Sequence, residues 1–271
     1  MITMSTHSNH KAKKRFGQNF LHDPGVIQRI IACIHPKSDE HLVEIGPGQG
    51  AITRELLKCT GRLDAVELDR DLIHPLAVSC ADLGELNIYN SDALKFDFSQ
   101  LALDGRPLRL VGNLPYNIST PILFHLLQYA DVIRDMHFML QKEVVDRMAA
   151  GPGSKTYGRL SVMMQAWCQI EALFEIGPGA FKPAPKVDSA IVRLIPYTEP
   201  SHTIDDTVYF SRLVTSAFAQ RRKTLRNSLG KLMHADQITA AGIDPSLRAE
   251  RLSLADFVRL SNLACKTAPS A

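Results

Sequence analysis

Three points along the chain carry residues suited to holding a nucleoside. Glu44-Ile-Gly46-Pro-Gly48-Gln-Gly50 closes one apolar run and opens a helical one. Glycines at such a turn let the backbone approach a ligand and bend sharply into the helix. Glu67 ends the next apolar run, about 20 residues beyond the glycines, where a carboxylate can bind ribose hydroxyls. Asp92 ends the third run, where its oxygen could accept a bond from an adenine amine. Taken singly, each acid could equally be a surface or helix-capping residue. Taken together, the series matches an adenosine-containing ligand laid across a sheet. The glycines also fit the dinucleotide form G-x-G-x-x-A through Ala51, so the series does not separate S-adenosylmethionine from NAD.

Asn113-Leu-Pro-Tyr116 ends the fourth apolar run and narrows the choice. The N6 lone pair of adenine is delocalised into the ring and is a poor nucleophile. The Asn113 side-chain oxygen and the Leu114 carbonyl could accept both amine hydrogens, favouring a pyramidal nitrogen with its lone pair aimed at a methyl donor. Pro115 would fix the local backbone. Tyr116 would stack on a base that has left its helix, an interaction worth ~1–3 kcal/mol. No strong general base is needed when the donor is a sulfonium, so catalysis would rest on positioning and polar complementarity. The bland alternative is a proline turn after a buried strand. The fragment resembles the N/D-P-P-Y/F and N-L-P-Y motifs of methyltransferases that act on amino nitrogens.

These residues need a scaffold that brings several strand ends together. Seven apolar runs supply it: 41–46, 63–69, 86–92, 108–116, 136–144, 172–178 and 190–197, with helical stretches such as 51–58 and 121–129 between them. Runs rich in Val, Ile and Leu that alternate with helices indicate a parallel, doubly wound α/β sheet. Open sheets of that kind bind ligands at the carboxyl ends of their strands. A linker is expected over 197–207, dividing residues 1–200 from a small helical domain over 201–271. In that domain helical periodicity runs through 208–232, with shorter helices near 236–241 and 253–264.

The 271-residue chain has a net charge of +3, but the distribution says more than the sum. Lys11, Lys13, Lys14 and Arg15 form one basic cluster, and Arg221, Arg222, Lys223, Arg226 and Lys231 form another. Such patches attract phosphate backbones by counterion release, although either could be a solvated face. The five cysteines show no C-x-x-C pair and suit no zinc site, so no metal is expected. No apolar run reaches membrane-spanning length, and the polar N-terminus lacks the core of a secretory signal, so a cytoplasmic protein is expected.

As a whole the sequence resembles the bacterial ribosomal small-subunit RNA adenine dimethyltransferase family. The match is carried by KKRFGQNFLHD (13–23), VEIGPGQGAIT (43–53), VELDRDL (66–72), VGNLPYNISTPILFHLL (111–127), MHFMLQKEVVDRM (136–148), SKTYGRLSVMMQ (154–165) and AFKPAPKVDSAIVRL (180–194). The resemblance implies a class I S-adenosylmethionine-dependent methyltransferase fold, Rossmann-like with a mostly parallel seven-stranded sheet, and a C-terminal all-helical RNA-binding domain. It implies a monomer that dimethylates two adjacent adenines near the 3′ end of small-subunit ribosomal RNA, on the pre-assembled subunit. Cofactor contacts are implied at Asn19, Leu21, Gly46, Glu67, Asp92 and Asn113, with FGQNFL closing over the cofactor. Phe181 is implied to face the target base opposite Tyr116; its composition alone would make it a core anchor. Three rival readings stand beside this one: a dinucleotide-dependent dehydrogenase, an RNA-binding assembly factor without catalysis, and the related large-subunit enzyme of macrolide resistance. The first leaves Asn113–Tyr116 and the basic clusters unexplained. The intact Glu67, Asp92 and Asn113 argue against the second, and the 136–148 and 180–194 fragments against the third.

Overall fold

A computed structural model describes Lys13 and residues 17–199 and 201–267. Lys11, Lys14 and Arg15 of the first basic cluster lie outside the described residues. Contacts divide the chain into two compact units, one formed by Met1–Val145 with Glu171–Pro196, the other by Asp146–Ile170 with Tyr197–Ala271.

In chain order the strands are β1 (Phe20–Leu21), β2 (His41–Ile45), β3 (Arg62–Glu67), β4 (Glu85–Asn90), β5 (Leu108–Asn113), β6 (Ile133–Gln141), β7 (Cys168–Ile176), β8 (Phe181–Lys182) and β9 (Ser189–Pro196). Seven of them form one sheet in the order β4-β3-β2-β5-β6-β9-β7. The pairs β2–β3, β2–β5, β3–β4 and β5–β6 are parallel, and β6–β9 is antiparallel. Between strands run α1 (Pro24–Ile34), α2 (Thr53–Thr60), α3 (Arg70–Cys80), α4 (Ser119–Leu126), α5 (Lys142–Ala149) and α6 (Arg159–Trp167). Local signals set the helix ends. Asp23 caps α1 by accepting from the Val26 N–H, and Pro24 occupies the first turn. The sheet order reverses direction at β2, whose carboxyl end therefore opens a crevice between β3 and β5.

The sheet's two ends are chemically opposite. At the amino ends, the buried Arg109 guanidinium donates to Asp135, Glu40 and the Ile34 carbonyl, and His41 meets Asp64 at 2.6 Å. The glycines, Glu67, Asp92 and Asn113 all lie at the carboxyl ends.

The helical unit contains α6, α7 (Thr207–Phe218), α8 (Leu225–Ser228), α9 (Ala235–Ala240) and α10 (Leu254–Thr267). It includes the segment 146–170, which a single division near residue 200 assigns elsewhere. The reason is packing: α6 meets α7 and α10, and the buried Tyr157 donates its hydroxyl to the Leu252 carbonyl at 2.9 Å. A phenol can be buried at that depth only with such an acceptor.

The periodicity through 208–232 does not give one helix. α7 stops at Phe218, and 219–224 form a turn before α8. The Leu225 and Arg226 N–H groups donate to the Leu247 and Pro245 carbonyls. A continuous helix would have spent them on its own preceding turn.

Candidate active site

The carboxyl ends of β2, β3 and β5 and the segment 17–21 enclose a cleft of about 320 Å³. Asn19, Leu21, Gly46, Glu67, Asp92, Asn113, Leu114, Pro115 and Tyr116 all line it. The structure therefore brings together every cofactor and tetrapeptide residue singled out from the sequence. Phe181 is the exception. It does not line the cleft; it is 3 % exposed and lies in the apolar cluster with Leu21 and Met139. β8 pairs antiparallel with β1 in the register Leu21↔Phe181. Phe181 thus packs beside Leu21, which itself lines the cleft.

Glu67 is 6 % exposed. One carboxylate oxygen accepts the Gly48 N–H at 3.2 Å and the other the Asp69 N–H at 2.8 Å. Burial pushes its pKa upward, and these backbone donors oppose that. Gly48 holds φ +59, and a Cβ there would stand 3.2 Å from the Phe20 ring. Glycine is thus required twice, for the left-handed turn and for the close approach of the 17–21 segment. Asp92 accepts the Leu94 N–H with one oxygen at 3.0 Å, and the Gly46 N–H donates to the Val66 carbonyl.

Asn113 is oriented from a distant part of the chain. Its Nδ2 donates to the Asn19 backbone carbonyl at 2.9 Å. The amide assignment follows from this bond, and it leaves Oδ1 as the acceptor turned to other partners. Pro115 sits in a tight turn, its carbonyl accepting from the Ile118 N–H and the Ser119 hydroxyl. The Tyr116 hydroxyl is hydrogen-bonded to the Ser189 Oγ at 2.7 Å. Burial raises the phenol's pKa, so Tyr116 is neutral near pH 7.

Two contributions escaped the sequence reading. Glu44 lines the cleft, is 2 % exposed and accepts the Thr53 hydroxyl at 2.6 Å. Burial pushes its pKa up to about 7, against the Thr53 bond. The sequence offered one signal, an acid at the head of the glycine turn. The second is a latch on the 17–21 segment: Gln18 and Lys13 both donate to Asp69, the cap of α3 whose own N–H reaches Glu67. In the helical unit, Arg221, Arg222, Lys223 and Arg226 are all exposed. The first three stand in the turn after α7 rather than on a helix face. The Arg221 guanidinium donates to the Lys155 carbonyl.

A family model, ribosomal RNA adenine dimethylase, matches residues 9–266. The chain belongs to the ribosomal RNA adenine dimethylase family. It is 59 % identical over 253 residues, 93 % of each chain, to "Ribosomal RNA small subunit methyltransferase A" of Hahella chejuensis. It is 58 % identical over 259 residues to the protein of the same name in Pseudomonas aeruginosa, covering 96 % of this chain and 97 % of that one. Among solved structures, a dimethyladenosine transferase from Plasmodium falciparum superposes with TM-score 0.74 at 27 % identity, over 89 % of this chain and 95 % of that one. The 23S rRNA methyltransferase ErmE superposes with TM-score 0.70 at 26 % identity, over 91 % and 100 %. These likenesses make the fold that of the class I methyltransferases and exclude the dehydrogenase reading of the glycine turn.

The residues of this dimethylase cleft fit S-adenosylmethionine. A carboxylate offers about four lone-pair positions. In Glu67 two are taken by the Gly48 and Asp69 N–H groups, which leaves two for the two hydroxyls of a ribose.

Proposed function

We propose that this protein transfers methyl groups from S-adenosylmethionine to the N6 amines of two adjacent adenosines near the 3′ end of small-subunit (16S) ribosomal RNA, giving N6,N6-dimethyladenosines. The observation that carries the chemistry is one cleft holding both a ribose-type carboxylate, Glu67, and an oriented Asn113-Leu-Pro-Tyr116. The small-subunit choice is supported by relatives of that name at 58–59 % identity along nearly the whole chain. ErmE, the large-subunit counterpart, is similar at only 26 %.

In this reading each residue has a role. S-adenosylmethionine, when bound, supplies a methyl group activated by its sulfonium. Glu67 holds the ribose, Asp92 accepts from the adenine amine, and Asn19, Leu21 and Gly46 shape the cleft around the cofactor. Asn113 Oδ1 and the Leu114 carbonyl accept the two hydrogens of the target amine and orient its lone pair. That polar complementarity is greatest in the transition state, where the nitrogen gains positive charge. Tyr116 stacks on the target base. Arg221, Arg222, Lys223 and Arg226 meet the phosphate backbone, which gives affinity and orientation without reading bases. The protein acts as a monomer on the pre-assembled small subunit in the cytoplasm; among the described residues no helix is long and apolar enough to cross a membrane. An assembly function without catalysis is disfavoured by the intact, hydrogen-bonded Glu67 and Asn113.

The test is incubation with radiolabelled S-adenosylmethionine and unmethylated small subunits, then mapping of the label. Four methyl groups on two adjacent adenosines are expected. No label on the small subunits, or label that appears only when large-subunit RNA is supplied in a parallel reaction, would overturn the assignment.

A further inference from the structure

Tyr116 lines the cleft, yet a tyrosine in a loop can take several side-chain rotamers. A base can stack productively only if that ring is already in plane. The backbone end is held by the turn at Pro115, whose carbonyl accepts from Ile118 and Ser119. The far end is held by one group, the Ser189 hydroxyl, 2.7 Å from the phenol oxygen.

Ser189 is well placed to act as a fixed post. It has no exposed surface and opens β9, where it is in register with Gln141 of β6. The preceding residue is also fastened, because the Asp188 carbonyl accepts the Lys142 N–H at 2.9 Å. β6 is in turn parallel to β5, with Asn113 in register with Met139. The Tyr116–Ser189 bond therefore spans from the loop after β5 to the start of β9 across the end of β6. It is a side-chain bond between a loop residue and a strand residue 73 positions later, with the sheet at its Ser189 end. Ser189 is not among the residues that line the cleft; its hydroxyl meets the phenol of Tyr116, which does line it.

We propose that Ser189 is a positioning residue for the target base: its buried hydroxyl holds the Tyr116 phenol and fixes the ring plane on which the base stacks. This inference rests on the reading of the chain as an RNA adenine dimethyltransferase. The hydroxyl of Tyr116 then works as an anchor rather than as a group that meets the amine.

The test is a double-mutant cycle of Ser189→Ala and Tyr116→Phe. Both remove the same bond, one from each end, and neither removes the ring. Single-turnover methylation of unmethylated small subunits is measured at saturating cofactor and subunit, with the subunit KM, cofactor Kd and Tm measured alongside. Loss of one hydrogen bond predicts each single variant slower by roughly 3- to 10-fold. The double variant should be no slower than either single one, because the bond can be lost only once. Cofactor Kd should stay at the wild-type value in Ser189→Ala. Rates that multiply in the double variant, or Ser189→Ala at the wild-type rate, would overturn the proposal. So would a Ser189→Ala defect that follows cofactor Kd and Tm while Tyr116→Phe is unaffected, since that is a folding defect and not a loss of ring position. Wild-type protein that leaves small-subunit RNA unlabelled would instead sink the parent reading, and this inference with it.

Discussion

Replacing Glu67 by alanine tests the cofactor geometry most directly. Glu67 carries two backbone bonds, from Gly48 and Asp69, and has two lone-pair positions left for a ribose. Each hydrogen bond to a charged group is worth about 1.5–3 kcal/mol. The two ribose bonds share one carboxylate and water re-enters the gap, so they do not add fully. A loss of about 3 kcal/mol is expected, which corresponds to a roughly 150-fold rise in Kd. Calorimetric titration with S-adenosylhomocysteine reads this without turnover. Glu67→Ala also strips two buried N–H groups of their acceptor, so a lower Tm is expected, and a loosened glycine turn could weaken binding by itself. A 2′-deoxyribose analogue separates the two causes. Wild-type protein should bind it more weakly than the ribose form, and Glu67→Ala should discriminate far less. A Kd within about threefold of wild type, or full retention of the ribose preference, would refute the assignment of Glu67 to the ribose.

Asn113→Ala should slow single-turnover methylation by about a hundredfold or more, the scale of losing one preorganised polar group, while subunit binding changes little; a wild-type rate would remove Asn113 from the chemistry. Replacing Arg221, Arg222 and Lys223 together by alanine should weaken subunit binding and lower the magnitude of its log–log salt slope by roughly 2–3 units. Cofactor affinity should be unaffected, and an unchanged salt slope would mean that the turn is a solubilising surface only. Glu44 has a folded pKa raised from 4.5 to about 7, so its contribution to stability is complete below pH 4.5 and is lost as pH rises through about 7. Thermal melts of wild type and Glu44→Gln should therefore diverge between those values, the wild type losing relative stability as pH rises; parallel curves would show that Glu44 titrates normally.

Much of the site could be read from the chain because it is built from strand ends. A residue that terminates an apolar run of a parallel sheet must emerge at the carboxyl edge, so Gly46, Glu67, Asp92 and Asn113 were bound to converge once the runs alternated with helices. The chemistry of Asn113-Leu-Pro-Tyr116 is equally local, since four adjacent residues carry it. Everything that depends on a partner far away in sequence needed the tertiary structure. The Asn113 amide is oriented by a carbonyl 94 residues earlier, and the ring of Tyr116 by a hydroxyl 73 residues later. Phe181 looks alike in sequence whether it faces a base or the core; its pairing with Leu21 across β1 and β8 belongs to the tertiary structure. The basic run keeps helical periodicity through 208–232, but periodicity records only where apolar residues fall. The carbonyls of Leu247 and Pro245 accept the Leu225 and Arg226 N–H groups, which a continuous helix would have used itself, and Arg221 and Arg222 stand on the turn before α8. The raised pKa of Glu44 likewise belongs to its burial rather than to its neighbours in the chain. Sequence periodicity determines which face of an element is apolar, whereas hydrogen bonds and burial across the fold determine which of its polar groups are held, turned or charged.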